Sequence, residues 1–122
     1  MAQLKNMQEK GGYIIDLNPQ NKTINIRVEG VFTPDQATQF HTDYEKQVNS
    51  ISAGTFDLIV DCTDMKVINQ DMIPALTHSL DLYKSSNFKK IKFTINGNPI
   101  LKMQLNRIIR SVGIINGEIE EV

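Results

Sequence analysis

Two early runs, Tyr13 to Leu17 and Thr23 to Glu29, have the pattern of short strands. In the second, Ile24, Ile26 and Val28 alternate with Asn25, Arg27 and Glu29, as in a strand with one buried face. The turn formers Asn18-Pro19-Gln20-Asn21-Lys22 join them, so a hairpin is predicted. The period then lengthens. Thr33-Pro34-Asp35-Gln36 matches a capping box, with Thr at the N-cap and proline at the first helical position. Ala37, Phe40, Tyr44, Val48 and Ile51 follow at spacings of three, four, four and three, one stripe of a first helix. Ser52-Ala53-Gly54-Thr55 closes it. Phe56 to Val60 is apolar apart from Asp57, which predicts a central strand covered on both faces and ended by Asp61. Ile73, Leu76, Leu80 and Tyr83 mark a second helix. Pro74 confines its start to the residues just upstream, and Asp71 is the predicted N-cap. Ile91, Phe93 and Ile95 alternate as a fourth strand that Asn96-Gly97 stops. Asn98-Pro99 then opens a third helix with Leu101, Leu105, Ile108 and Val112 on its stripe and Gly113 as its C-terminal stop. Ile114-Ile115 is the candidate for a short last strand.

The order is therefore β-β-α-β-α-β-α with a closing β, an α/β class in which a small mixed sheet of four to five strands has helices packed against it. At 122 residues and 40% hydrophobic content the chain suits one core. The predicted domain runs over residues 13–116, between a loosely held leader at 1–12 and a frayed acidic tail at 117–122. No apolar run approaches the roughly 20 residues of a bilayer span, and the first residues carry no apolar core resembling a signal peptide. No membrane span and a cytoplasmic location are expected. The single Cys62 has no partner for an intramolecular disulfide and no ligand spacing for zinc, so a packed small residue is expected there.

A net charge of −1 hides an asymmetry. From Glu29 to Asp81, nine acidic residues stand against Lys46 and Lys66, whereas Lys84 to Gly117 holds seven basic residues and no acid. Two readings follow: an anion- or partner-binding face, or complementarity between neighbouring helices of one domain, the second being favoured. The basic helix has no interleaved aromatics, so nucleic acid is not an expected partner.

Signatures of catalysis are missing. There is no Gly-x-Ser-x-Gly elbow, no phosphate-binding glycine loop and no His-Glu-x-x-His. His41 and His78 have no acid or nucleophile beside them in sequence and are expected at the surface or the rim. The dense polar cluster is Asp61, Cys62, Thr63 and Asp64 with Asn69, Gln70 and Asp71, placed on the loop after the central strand, where open α/β sheets bind ligands. A Mg²⁺ site would need two or three carboxylates to converge. Asp61 bonding loop amides and Asp71 capping a helix explain the same residues without a metal.

Element order, length and the stretch VDCTDMKVINQDMI resemble the STAS domain, the fold of the bacterial anti-sigma-factor antagonists. The likeness extends from Tyr13 to about Val112. Asp61 and Thr63 match its Asp-hydrophobic-Ser/Thr pattern, and Asn69-Gln70-Asp71-Met72 stands where the family has Asp-Ser-Ser-Gly. The resemblance implies a non-enzymatic regulatory module whose partner is an anti-sigma factor or a kinase-like protein. In the family a hydroxyl at the helix start is phosphorylated and the added charge breaks the complex; here Asp71 occupies that position. Aspartate supplies a cap and a permanent single charge, less than the −1.5 to −2 of a phosphoserine. The residues expected to bind a protein partner are thus Asp61, Thr63, Asp64, Asn69, Gln70 and Asp71, with no catalytic residue, cofactor or metal. The alternative is a small-molecule or lipid-binding domain of the same fold, with an apolar cleft beneath its helices. An aspartate-metal enzyme ranks below both.

Overall fold

The computed structural model describes residues 2–65 and 68–122; Met1 of the expected leader, and Lys66 and Val67 of the central stretch, lie outside the described residues. Six strands form one sheet whose spatial order is the chain order, β1 to β6. β1 (Ala2–Gln8), β2 (Gly11–Asn18) and β3 (Thr23–Gly30) make an antiparallel meander. β4 (Asp57–Met65), β5 (Lys90–Ile95) and β6 (Gly117–Glu121) then add in parallel. Helices α1 (Pro34–Val48), α2 (Ile73–Ser85) and α3 (Pro99–Val112) fill the three crossovers. Right-handed crossovers that all step the same way along a sheet put their helices on the same face.

That one-sided layering explains the burial pattern. Tyr13, Ile15, Ile24, Ile26, Leu58, Val60, Ile91, Phe93 and Ile95 point at the helices and are buried, while the residues between them face outward. Phe40, Tyr44, Leu80, Tyr83, Leu101, Leu105 and Ile108 meet them from above. The Tyr13 and Phe40 rings pack edge-to-face, with centroids 5.0 Å apart. Burying each such side chain stabilises the fold by about 1.5–3 kcal/mol before ordering entropy is counted.

Several expectations are corrected. β4 is covered on one face, not two: Asp57, Ile59, Asp61 and Thr63 lie on the open side, and Ile59 is the apolar residue that made the run look continuous. The strand also runs on to Met65, so Asp61 to Asp64 belong to it and not to a loop. The sheet has six strands in place of four to five, because both ends of the chain join it. The stretch expected as a loose leader is the edge strand β1, paired residue for residue from Ala2↔Leu17 to Gln8↔Gly11. The stretch expected as a frayed tail is the opposite edge, paired with β5 from Ile91↔Gly117 to Ile95↔Glu121. Both edges are polar, which suits a strand that would otherwise recruit another chain, and backbone pairing of this kind leaves little trace in an apolar pattern. Ile114 is buried in the core and Ile115 is 97% exposed, so the last strand begins after them and not with them.

The start of α2 also differs. A 3₁₀ turn (Gln70–Met72) precedes the helix, and Asn69, not Asp71, caps it, its Oδ1 accepting from the Met72 amide at 3.2 Å. Ile73, predicted on the buried stripe, is the first residue of α2 and is 37% exposed there, at the end of the helix. The other two helix starts match expectation: Thr33 and Gln36 form both bonds of a capping box, and Asn98 Oδ1 accepts from the Leu101 amide at 3.1 Å. Gly113 ends α3 at φ 84°, a left-handed conformation that glycine reaches without cost.

Among the described residues the ion pairs of the basic segment run to the acids of β6 and not to the acidic segment from Glu29 to Asp81. Lys90 reaches Glu118 at 3.1 Å, Lys92 reaches Glu120 at 2.9 Å, and Lys102 reaches Glu121 at 3.9 Å. Part of the basic segment is thus matched by the acids of β6, and exposed pairs of this kind contribute about 0–1 kcal/mol each.

Candidate functional site

The six residues predicted to form one recognition loop fall into two groups. Asp61 and Thr63 lie on the open face of the sheet. Asp61 Oδ1 accepts from the Thr63 amide at 3.0 Å, from the Thr63 hydroxyl at 2.7 Å and from the Thr94 hydroxyl at 3.4 Å. Burial works against its charge, but these hydrogen bonds and the neighbouring Arg27 outweigh burial and hold the carboxyl below the usual carboxylate range. Asp64, exposed, is engaged by Arg27. A groove of about 430 Å³ runs over this face between Ile14, Asp16, Arg27, Ile59, Asp61 and Thr94. Asp16 and Asp57 each bury one oxygen, Oδ1, that no donor among the described residues reaches.

Asn69, Gln70 and Asp71 lie elsewhere, exposed at the beginning of α2. Asn69 and Asp71 form part of the rim of a cleft of about 690 Å³ between the N-terminal halves of α1 and α2. Its apolar wall comes from Val31, Phe32, Ala37, Met72, Pro74 and Ala75. It opens beyond the carboxyl ends of the parallel strands β3 and β4, the usual position of a binding crevice in an α/β sheet. The expected cleft beneath the helices is therefore a cleft between two helix starts.

Two histidines close its far end. The His41 and His78 rings meet edge-on with centroids 4.5 Å apart. Ser79, buried, has its Oγ 3.0 Å from the Ala75 carbonyl oxygen and 3.0 Å from His41 Nε2, so its hydroxyl hydrogen-bonds the imidazole, with the direction set by the His41 tautomer. Burial first, and then His78, push the His41 pKa down, with Glu45 acting the other way. Sequence reasoning placed both histidines singly at the rim and missed their contact. The usable signal was that each follows its helix's proline-marked start at a spacing that keeps it on the cleft side, and only the helix pairing brings the two together.

The tertiary contacts of two side-chain amides, half-buried Gln104 and buried Gln36, were also missed. Gln104 of α3 clasps Ile68, accepting from its amide at 2.9 Å and donating to its carbonyl at 2.7 Å. This holds the chain just before the Asn69 cap. Gln36 donates to the Gly11 carbonyl at 3.0 Å, which ties the first turn of α1 to the β1–β2 hairpin. Cys62 is buried, and desolvation pushes its thiol up to about 12, an unreactive setting. Among the described residues no three His, Cys, Asp or Glu side chains converge to hold a metal ion, and no helix is long and apolar enough to cross a membrane.

A six-stranded mixed sheet with three helices on one face, its first crossover entered from an antiparallel hairpin, is a SpoIIAA-like fold. Two solved structures carry that statement. One is an uncharacterized DUF3478-family protein with a SpoIIAA-like fold from Shewanella loihica PV-4, with TM-score 0.64 and 15% identity over 96% of this chain and 90% of that one. The other is apo-SiaC from Pseudomonas aeruginosa, with TM-score 0.60 and 14% identity over 98% of this chain and 99% of that one. No family model and no curated protein matches the sequence. At these identities the likeness is one of fold, and it agrees with the STAS resemblance drawn from the residues.

Proposed function

We propose that the chain is a non-enzymatic regulatory module of STAS type that binds a protein partner where α2 begins, over the rim of the α1–α2 cleft. The observation that carries this reading is the placement of Asn69, Gln70 and Asp71: exposed, polar, and set beside an apolar cleft at the carboxyl ends of parallel strands. The SpoIIAA-like fold supports a regulatory role. By the resemblance, the partner is an anti-sigma factor or a kinase-like protein. Regulation by phosphate at the helix start is absent in this reading, because Asp71 puts a carboxylate where the family carries a hydroxyl. Asp71 sits in the 3₁₀ turn that leads into α2, so its charge lies off the helix's N-terminal end, where unpaired amides and the helix dipole favour negative charge.

The test compares wild type, Asp71→Ser and Met72→Glu in pull-downs from the native organism. A partner bound by wild type and lost with Met72→Glu is expected, with Asp71→Ser making binding sensitive to a kinase. If no partner responds to either substitution, the reading fails. The cleft's size and apolar wall favour a second reading, a small apolar ligand or lipid. Native mass spectrometry of the purified protein separates the two, since a copurified ligand released by His78→Trp would support the second.

A further inference from the structure

Helix α3 carries two apolar stripes, and the core uses only one. Leu101, Leu105 and Ile108 are buried against the sheet. On the opposite side Ile100, Met103, Arg107 and Arg110 recur at spacings of three, four and three, which aligns them along roughly 15 Å of helix. Ile100 and Met103 are 52% and 53% exposed. Arg107 and Arg110 are exposed and form no ion pair among the described residues. No acid lies anywhere on α3. A shallow groove of about 420 Å³ follows the stripe between Pro99, Met103, Asn106, Arg107 and Arg110. The outer face of α1, by contrast, is polar and of mixed sign, with Asp35, Gln39, Thr42, Glu45 and Lys46.

We propose that this outer stripe is a docking surface for an acidic amphipathic helix of a partner protein. Two apolar side chains of the partner seat on Ile100 and Met103, and two carboxylates meet Arg107 and Arg110 about two turns further on. Charge complementarity selects the occupant, since the stripe offers guanidinium groups and nothing for them to pair with. It also sets the direction: carboxylates are best placed near a helix N-terminus, so the partner helix runs antiparallel to α3 with its acids first. An anionic membrane fits less well. A helix lying in a bilayer surface inserts a continuous apolar face, whereas the continuous apolar face of α3 is already buried in the core and only two side chains remain. This surface is separate from the α1–α2 cleft and stands or falls without it.

The test is fluorescence anisotropy of a synthetic helical peptide bearing two glutamates and then two leucines at the matching spacings, with a scrambled peptide and phosphatidylglycerol-containing vesicles as the other arms. Salt-sensitive binding of the ordered peptide alone is expected. Arg107→Glu/Arg110→Glu and, separately, Ile100→Ser/Met103→Ser should each weaken it by about tenfold or more. A lysine-for-glutamate peptide should restore binding to the double Arg→Glu variant, whose circular dichroism and melting report an intact fold. Asp71→Ser should leave binding unchanged. Equal binding of the scrambled peptide, an unaltered affinity in either double variant, or binding to vesicles without binding to the peptide would each overturn the proposal.

Discussion

Gln36 joins a local cap to a tertiary contact, and removing it should cost far more than removing the cap alone. Its Oε1 accepts from the Thr33 amide at 2.9 Å, while its Nε2 donates to the Gly11 carbonyl at 3.0 Å and to the Asn6 carbonyl at 3.3 Å. The residue is 1% exposed. Thr33→Ala removes the Oγ1 that accepts from the Gln36 amide and should destabilise by about 1 kcal/mol. Gln36→Ala removes the reciprocal bond, takes the donor from two hairpin carbonyls and leaves space at a buried site. At about 1 kcal/mol per net hydrogen bond, and somewhat more for a buried group left short of a partner, the loss should reach about 3 kcal/mol. That is a large share of the 5–15 kcal/mol typical of a domain. Gln36→Glu keeps the capping acceptor but turns a carboxylate toward the Gly11 carbonyl, so at neutral pH it should be no better than Gln36→Ala. Urea unfolding at pH 7 measures all three, with a midpoint shift of about 1–3 M expected for a loss of this size. If Gln36→Ala falls within about 0.5 kcal/mol of Thr33→Ala, or Gln36→Glu is as stable as wild type, the hairpin contact is not what Gln36 contributes.

The remaining predictions concern the cleft and the hairpin. Because the folded-state pKa of His41 is lowered from 6.5, the unfolded chain binds more protons between the two values, and stability rises with pH there. This contribution is complete above the unfolded pKa and is lost as pH falls through 6.5 toward the folded value; His41→Gln should flatten the slope of the urea midpoint between about pH 5 and 7, and an unchanged slope would assign it elsewhere. Gly30 has φ 60°, and a Cβ there would come within 2.1 Å of the Lys10 carbonyl oxygen. Gly30→Ala should therefore cost well over the roughly 1–2 kcal/mol that a left-handed backbone alone imposes on a residue with a Cβ, whereas Gly113→Ala, also left-handed but with only the Lys84 Nζ at 3.2 Å from its Cβ, should stay near that figure; thermal melts of the two decide it.

Much of the fold is written locally. The alternation from Ile24 to Val28, the Thr33–Gln36 box, the Asn98 cap and the Gly113 stop each depend on neighbours within a few residues, and each appears as read. The STAS-like order of elements follows from them, because short right-handed crossovers leave few other ways to arrange the sheet. What escaped the sequence depends on distant partners. Residues 2–8 and 117–121 become strands because β2 and β5 present unpaired edges to them, and no periodicity in a polar segment announces that.

The candidate site divides along the same line. Residue types alone marked Asp61, Thr63, Asp64, Asn69, Gln70 and Asp71 as chemically distinct, but their common location was an inference from sequence nearness. A strand that continues to Met65 turns the first group onto the open face of the sheet, and a 3₁₀ turn capped by Asn69 carries the second to the cleft. The meeting of His41 with His78, the clasp of Gln104 on Ile68 and the exposed stripe of α3 belong to tertiary structure for one reason. Local energetics decide that a helix forms and which face is apolar, while the packing of one helix against the next decides what that face meets.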